Sequence, residues 1–212
     1  MKQTDAAYHY IKDRILEGTF KPAQKLVEMQ LAESIGVSRN TVKQALLKLA
    51  QENLVAIEEN KGATIKSFTL EEVLNYLEIR EVLEGLVARS ATSNVTENDL
   101  ARMKSILEQM KAHLDKQEFD KYSALNTEFH GIIYKSTQNV QAVELINMIR
   151  TQLIRYQFRT ILVPGRSQSS FGEHTDIYKA FAARNELDAE AAVRKHVLTV
   201  RETIRNNYHY LA

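Results

Sequence analysis

Over residues 1–68 the apolar positions recur with a helical period and then give way to short β-prone runs. Ala7, Tyr8, Ile11, Ile15 and Leu16 share one side of a helix over residues 4–17, and Gly18 is placed to end it. Residues 21–26 then read as an extended connection. In residues 28–47, Leu31, Ile35, Val37, Val42 and Ala45 fall where two crossed helices must fill the space between them. Gly36 supplies the positive φ that a tight turn demands, and the small Ala32 lets the helices cross closely. Ser38 follows as an N-cap. Behind it Arg39, Asn40, Thr41, Lys43 and Gln44 project from the first turns of a helix whose other side, Val42, Ala45, Leu46 and Leu49, is apolar. Residues 54–57 and 63–68 are β-prone runs about a turn, a hairpin whose tip presents Lys61 and Gly62.

Helix, helix-turn-helix and hairpin in that order predict a winged DNA-binding unit over residues 1–68. An ordinary amphipathic pair would account for the apolar stripe. It would not account for a capped helix that opens with side chains suited to phosphates and base edges. After Phe68 the pattern becomes six long helices, at 69–92, 96–116, 118–136, 140–162, 170–184 and 188–210, with residues 163–169 as the one long loop. Thr69 with Glu72, and Thr96 with Asp99, have the spacing of capping boxes. The fold class is therefore mainly α. A winged helix-turn-helix with a small β-hairpin precedes an all-α helical-bundle domain, residues 69–212, long enough to enclose its own core.

Composition narrows the class. The 212 residues include no cysteine and 44% apolar residues, and no apolar run approaches the roughly 20 needed to cross a bilayer, so a cytoplasmic protein is expected. Net charge is +1: +2 over residues 1–66, with 10 basic against 8 acidic residues, and −1 over the rest, with 18 against 19. Bulk charge does not announce a nucleic-acid binder. What counts is that Arg39, Lys43 and Lys61 sit on the expected groove face. One such unit neutralises few phosphates, and each contact adds only about 0.9 to the salt slope, so two copies on one palindromic site of double-stranded DNA are expected, as a homodimer.

Three histidines of the helical domain face inward by spacing. His130 lies one turn after Asn126, His174 three residues before Ile177, and His196 between Ala192 and Val200 at intervals of four. Each alone reads as a satisfied core histidine. Together, three buried imidazoles without partners would cost about 1–3 kcal/mol apiece, and one divalent cation satisfies all of them. His9, His113 and His209 lack this context.

Residues 15–18, the connection at 20–22, Leu31-Ala32 and the run from Gly36 to Leu46 resemble the DNA-binding domain of GntR-type bacterial transcription regulators over residues 5–68. In that family the turn is usually followed by Ser-Arg-Thr-Pro-Val-Arg-Glu-Ala-Leu, and its two arginines commonly read guanine. Arg39 matches the first and Lys43 replaces the second, keeping the charge but losing the planar two-pronged donor. The resemblance makes Arg39 the first choice for a base contact, with Ser38 and Thr41 on phosphates.

Residues 70–208, through Asn126, His130, His174 and His196, resemble the all-helical FCD ligand-binding domain of the FadR subfamily. Many members hold a metal with an aspartate and three histidines at these places, which implies Zn²⁺, with Ni²⁺ or Mn²⁺ also compatible. Asn126 departs from the pattern, offering a neutral carbonyl oxygen in place of a carboxylate.

Arg80 matches an arginine that the subfamily often places in the effector pocket; its other reading is a solvated helix face paired with Glu84. Arg150, Arg155, Tyr156 and Arg159 crowd another helix, and Arg150 and Tyr156 join Arg80 as candidates for binding a small carboxylate effector. The expected protein is a repressor rather than an enzyme. Its rivals are a constitutive DNA-binding dimer with a structural metal or none, and a metal-dependent hydrolase. The hydrolase reading is weak because Glu173 and Glu128, next to His174 and the His130 turn, point away from the ligands on their own helices.

Overall fold

The structure is a computed structural model that describes the backbone of residues 2–59 and 61–211 and, within them, all side chains except those of residues 154–159 and 211. The chain divides into two compact units, Met1–Thr69 and Leu70–Ala212. The first contains α1 (Gln3–Leu16), β1 (Lys25–Leu26), α2 (Glu28–Ile35), α3 (Arg39–Gln51), β2 (Val55–Glu58) and β3 (Gly62–Ile65). α3 is the keel of this unit. Its Val42, Ala45, Leu46 and Leu49 are buried against Ala7, Ile11 and Ile15 of α1 and Leu31 of α2. Burial of this kind makes truncating Leu46 to alanine worth about 2–5 kcal/mol.

Gly36 ends α2 in the left-handed region, at φ 76° and ψ 35°, and its N–H returns to the Ala32 carbonyl at 2.9 Å. A side chain there would be strained, which is why the turn needs glycine. The hairpin has a third member that the sequence pattern missed. Residues expected to be a plain extended connection include β1, which pairs antiparallel with β3 through Lys25 with Thr64 and Leu26 with Ala63, giving the order β1-β3-β2. Two residues are too few to show a period. What fixes the strand is the burial of Leu26 in the same core as Ala63 and Ile65.

The second unit contains α4 (Leu70–Thr92), α5 (Glu97–Asp115), α6 (Phe119–Ser136), α7 (Val140–Thr160), α8 (Arg166–Ala182) and α9 (Glu186–Leu211). Thr96 and Asp99 form a full capping box at the start of α5, each side chain bonded to the other's backbone N–H at 3.0–3.1 Å. α4 packs along α9 more extensively than any other pair of elements, and α9 also packs on α8. The close approach of α4 and α9 depends on Gly85. A Cβ at that position would stand 2.6 Å from Cγ of Arg194.

One expected boundary is corrected. The sequence predicts a loop over residues 163–169, whereas α8 already begins at Arg166 behind Gly165, whose φ of 78° turns the chain into the helix. Arg-Ser-Gln-Ser-Ser is a polar run with weak helix preference, so local propensity favours a loop. Burial of Arg166, Ser167 and Ser170 against the bundle overrides it.

Candidate functional site

In the first unit the candidate DNA-contacting groups lie together at the start of α3 and at the hairpin tip. Ser38 caps α3 by accepting from the Thr41 N–H at 3.1 Å, and its hydroxyl lies 2.8 Å from that of Thr41. Ser38, Arg39, Asn40, Lys43 and Gln44 are exposed, as are Lys61 and Gly62, while Thr41 is half-buried by its cap. Two of the cations are already paired. Arg39 Nε donates to Glu28 at 2.8 Å, and Lys61 donates to Glu58 at 2.7 Å. Both pairs are exposed, so solvent screens them and they hold their cations only weakly. Glu28 was not foreseen as Arg39's partner, because only the turn at Gly36 brings the start of α2 back to the start of α3.

In the second unit, α6, α8 and α9 deliver His130, His174 and His196 to one buried point, where one nitrogen of each ring lies within 4.8 Å of the others. Exposure of the three residues is at most 5%, and burial pushes all of them below the ordinary imidazole range; neighbouring imidazoles add to it at His130 and His174, while Glu173 opposes it at His196. For His174 the result is about 3. All three are therefore neutral at pH 7, which is the form that ligates metals.

Their tautomers can be read from their partners. His174 Nδ1 lies 2.6 Å from the Ser170 carbonyl, an acceptor only, so Nδ1 carries the proton and Nε2 the lone pair. His196 Nδ1 lies 2.7 Å from Glu173, so it too donates from Nδ1. The Nε2 atoms of His130 and His174 are 3.2 Å apart. Tetrahedral bonds of about 2.0–2.1 Å imply ligand atoms about 3.3 Å apart, so this spacing suits two nitrogens on one ion.

Further observations bear on the fit. Asn126 Oδ1 is buried without a hydrogen-bond partner among the described residues, and Asn126 lines the same cavity as His130 and His196. A buried carbonyl oxygen with no donor, lining the same cavity as two of the imidazoles, is a group that a cation can satisfy. Glu173 supplies the outer support. Its carboxylate accepts from His196, from Arg166 at 2.9 and 3.2 Å, and from Ser169 at 2.9 Å. Burial alone would push Glu173 up, but the His196 N–H and Arg166 hold it below the usual carboxylate range. Carboxylate-to-histidine contacts of this kind orient ligating imidazoles.

The cavity is about 60 Å³ and is walled by Arg80, Tyr122, Asn126, His130, Arg150, Arg166 and His196, among others. At about 10–15 Å³ per water it holds a few waters or a small polar ligand. Arg80 is 4% exposed, so the reading of a solvated helix face is corrected, although its partner is Glu84 as that reading had it. Arg150 donates to the Tyr134 hydroxyl at 2.9 Å and reaches the same cavity. The side chains of Arg155, Tyr156 and Arg159 lie outside the described residues.

Sequence reasoning found Glu84 only as a partner of Arg80 and Glu173 only as a poorly aimed general base, and it missed Arg166 and Ser170. On their shared helix Glu173 points away from His174. It meets His196 of α9 instead, a contact between helices that no spacing within α8 discloses. Both of its oxygens are engaged, so it is not a free general base.

Comparison with known proteins gives a consistent set of likenesses. The FCD domain profile matches residues 75–199, and that of the bacterial regulatory proteins of the gntR family matches residues 3–65. The transcriptional regulator LutR of Bacillus subtilis is 31% identical over 211 residues, spanning 90% of this chain and 95% of that protein. The transcriptional repressor RspR of Escherichia coli is 24% identical over 198 residues, spanning 93% and 87%. The solved structure of E. coli McbR/YncC aligns with a TM-score of 0.78 at 18% identity, covering 98% of this chain and 99% of that one, a likeness of fold.

Proposed function

We propose, from the premise that the chain belongs to the FCD-bearing branch of the gntR family of DNA-binding transcriptional regulators, that its operator binding is switched by a small organic acid bound beside a metal ion in the helical unit. The observation that carries this reading is a cluster of three buried, neutral histidines, two of which, His130 and His196, line a cavity together with Arg80 and Arg150. His130, His174 and His196 would hold the ion, with the Asn126 carbonyl beside them, and Zn²⁺ suits that donor set. Such an ion supplies a Lewis acid for a carboxylate. The chain's own residues do the rest. Arg80 and Arg150 provide planar donor groups for the acid's oxygens, and the cavity's size selects a compact effector.

The winged unit is the output. Arg39 reads a base edge, Lys43 contributes charge, Ser38 and Thr41 fix register on phosphates, and Lys61 and Gly62 approach the backbone from the hairpin tip. Asn40 and Gln44 complete the face. A homodimer places two such units on a palindromic operator, and a ligand that alters their separation abolishes simultaneous docking. Repression is the favoured sign because RspR, a relative along most of the chain, bears the name of a repressor. The protein acts where its operator lies, in the cytoplasm.

Thermal-shift measurements across a panel of small organic acids, repeated after chelation, test the switch. Stabilisation that requires both acid and metal supports sensing. A protein that no acid stabilises, with or without metal, is instead a constitutive DNA binder with a structural ion.

A further inference from the structure

We propose that Glu84 is the positioning residue for His130: its free carboxylate oxygen accepts a proton from His130 Nδ1 when His130 Nε2 ligates a cation. The inference rests on the metal reading above and starts from an asymmetry among the three histidines. His174 has an acceptor at Nδ1, the Ser170 carbonyl at 2.6 Å, and His196 has the Glu173 carboxylate at 2.7 Å. His130 Nδ1 is buried and has no hydrogen-bond partner among the described residues. Glu84 Oε2 is buried and equally without one, and it stands 3.8 Å from His130 Nδ1, just beyond bonding range. Two orphaned polar atoms at that distance call for an explanation, because a buried polar atom left without a partner is destabilising.

The tautomers provide it. The 3.2 Å contact between the Nε2 atoms of His130 and His174 needs one proton. His174 has placed its own on Nδ1, toward Ser170, so the shared proton belongs to His130 Nε2. His130 Nδ1 then carries a lone pair, and a lone pair facing a carboxylate oxygen cannot close. With a cation on His130 Nε2 that atom could keep no proton; one would leave Nε2 and one would be taken up at Nδ1, with no net change in proton count, and Nδ1–H would then face Glu84 Oε2. The contact would close with a ring adjustment of about 1 Å or less, from 3.8 Å to an ordinary bond length.

Glu84 is fixed for this task. Arg80 Nε donates to its other oxygen, and although burial pushes the carboxyl up, Arg80 and then Arg150 hold it below the usual range, so it stays an anion. Glu84 lies on α4, the helix that follows directly on the winged unit in the chain.

The test is Zn²⁺ affinity by chelator competition, with folding followed by far-UV circular dichroism and the tautomer of His130 read by ¹⁵N NMR of labelled histidine. Wild type is expected to bind Zn²⁺ and to move the His130 proton from Nε2 to Nδ1. Glu84→Gln is expected to bind about 10–100-fold more weakly. In a His130→Ala background the same substitution is expected to cost nothing more. Should Glu84→Gln fail to fold because Arg80 is left unpaired, Arg80→Met with Glu84→Gln removes both charges and carries the same expectation. Unchanged Zn²⁺ affinity, or an equal loss with and without His130, overturns the role of Glu84 while leaving the metal site standing. A wild type that binds no Zn²⁺ overturns both.

Discussion

The two units use their functional side chains in opposite ways. At the start of α3 and at the hairpin tip the candidate DNA-contacting groups are mostly exposed and charged or polar, and Arg39 and Lys61 pair there with the acids Glu28 and Glu58. In the helical unit the groups are buried, the histidines are neutral, and they come from three different helices. An exposed reading face can exchange partners at little cost, as encounter with DNA requires. A buried polar group left without a partner is costly, so the orphaned atoms of this cluster are where the proposed ion would matter most.

Four substitutions break or sharpen that contrast. Removing a ligand from the buried cluster has the largest effect. His196→Ala is expected to weaken Zn²⁺ binding by more than the roughly 10–100-fold typical of losing a supporting contact, measured by chelator competition, with DNA binding by the winged unit retained. The matching change on the exposed face is smaller. Arg39→Ala is expected to cost about 1–3 kcal/mol on a selected operator and to relax specificity at one base pair, measured by fluorescence anisotropy. An equal loss on random DNA would show a phosphate contact instead.

Asn126→Asp comes next. Adding a carboxylate beside three imidazoles is expected to tighten metal binding on the order of tenfold, since charge on the ligands tunes affinity. A weaker or unchanged affinity would mean that the orphaned carbonyl does not face the ion. The smallest effect belongs to Glu28→Gln. Releasing Arg39 from an exposed pair worth about 0–1 kcal/mol is expected to raise operator affinity by at most about fivefold. A fall in affinity would show that Glu28 aims Arg39 rather than competing for it.

The same contrast governs what could be read without the structure. The winged unit was legible because its turn, its cap and its reading face occupy one run from Leu31 to Leu49, so helical spacing alone places them. β1 was not, because two residues show no period and Leu26 is a strand only by virtue of the core it joins. In the helical unit the three histidines could be assigned to inner faces one helix at a time. Their supports could not be. Glu173 serves a histidine on another helix, Glu84 faces a histidine 46 positions away, and Arg166 joins the site only because burial makes helix of a run that looks like loop. Spacing within an element is readable from sequence, whereas contact between elements is not. Metal sites depend on the second.

Whether the three histidines hold an ion decides between a metal-dependent sensor and a helical unit without one. Elemental analysis of the purified wild-type protein and of His174→Ala, each exchanged into metal-free buffer, addresses that directly. One equivalent of a divalent metal per wild-type chain, and a folded His174→Ala protein without it, is the predicted result. Wild type with no stoichiometric metal, or the same metal content in both proteins, would contradict it.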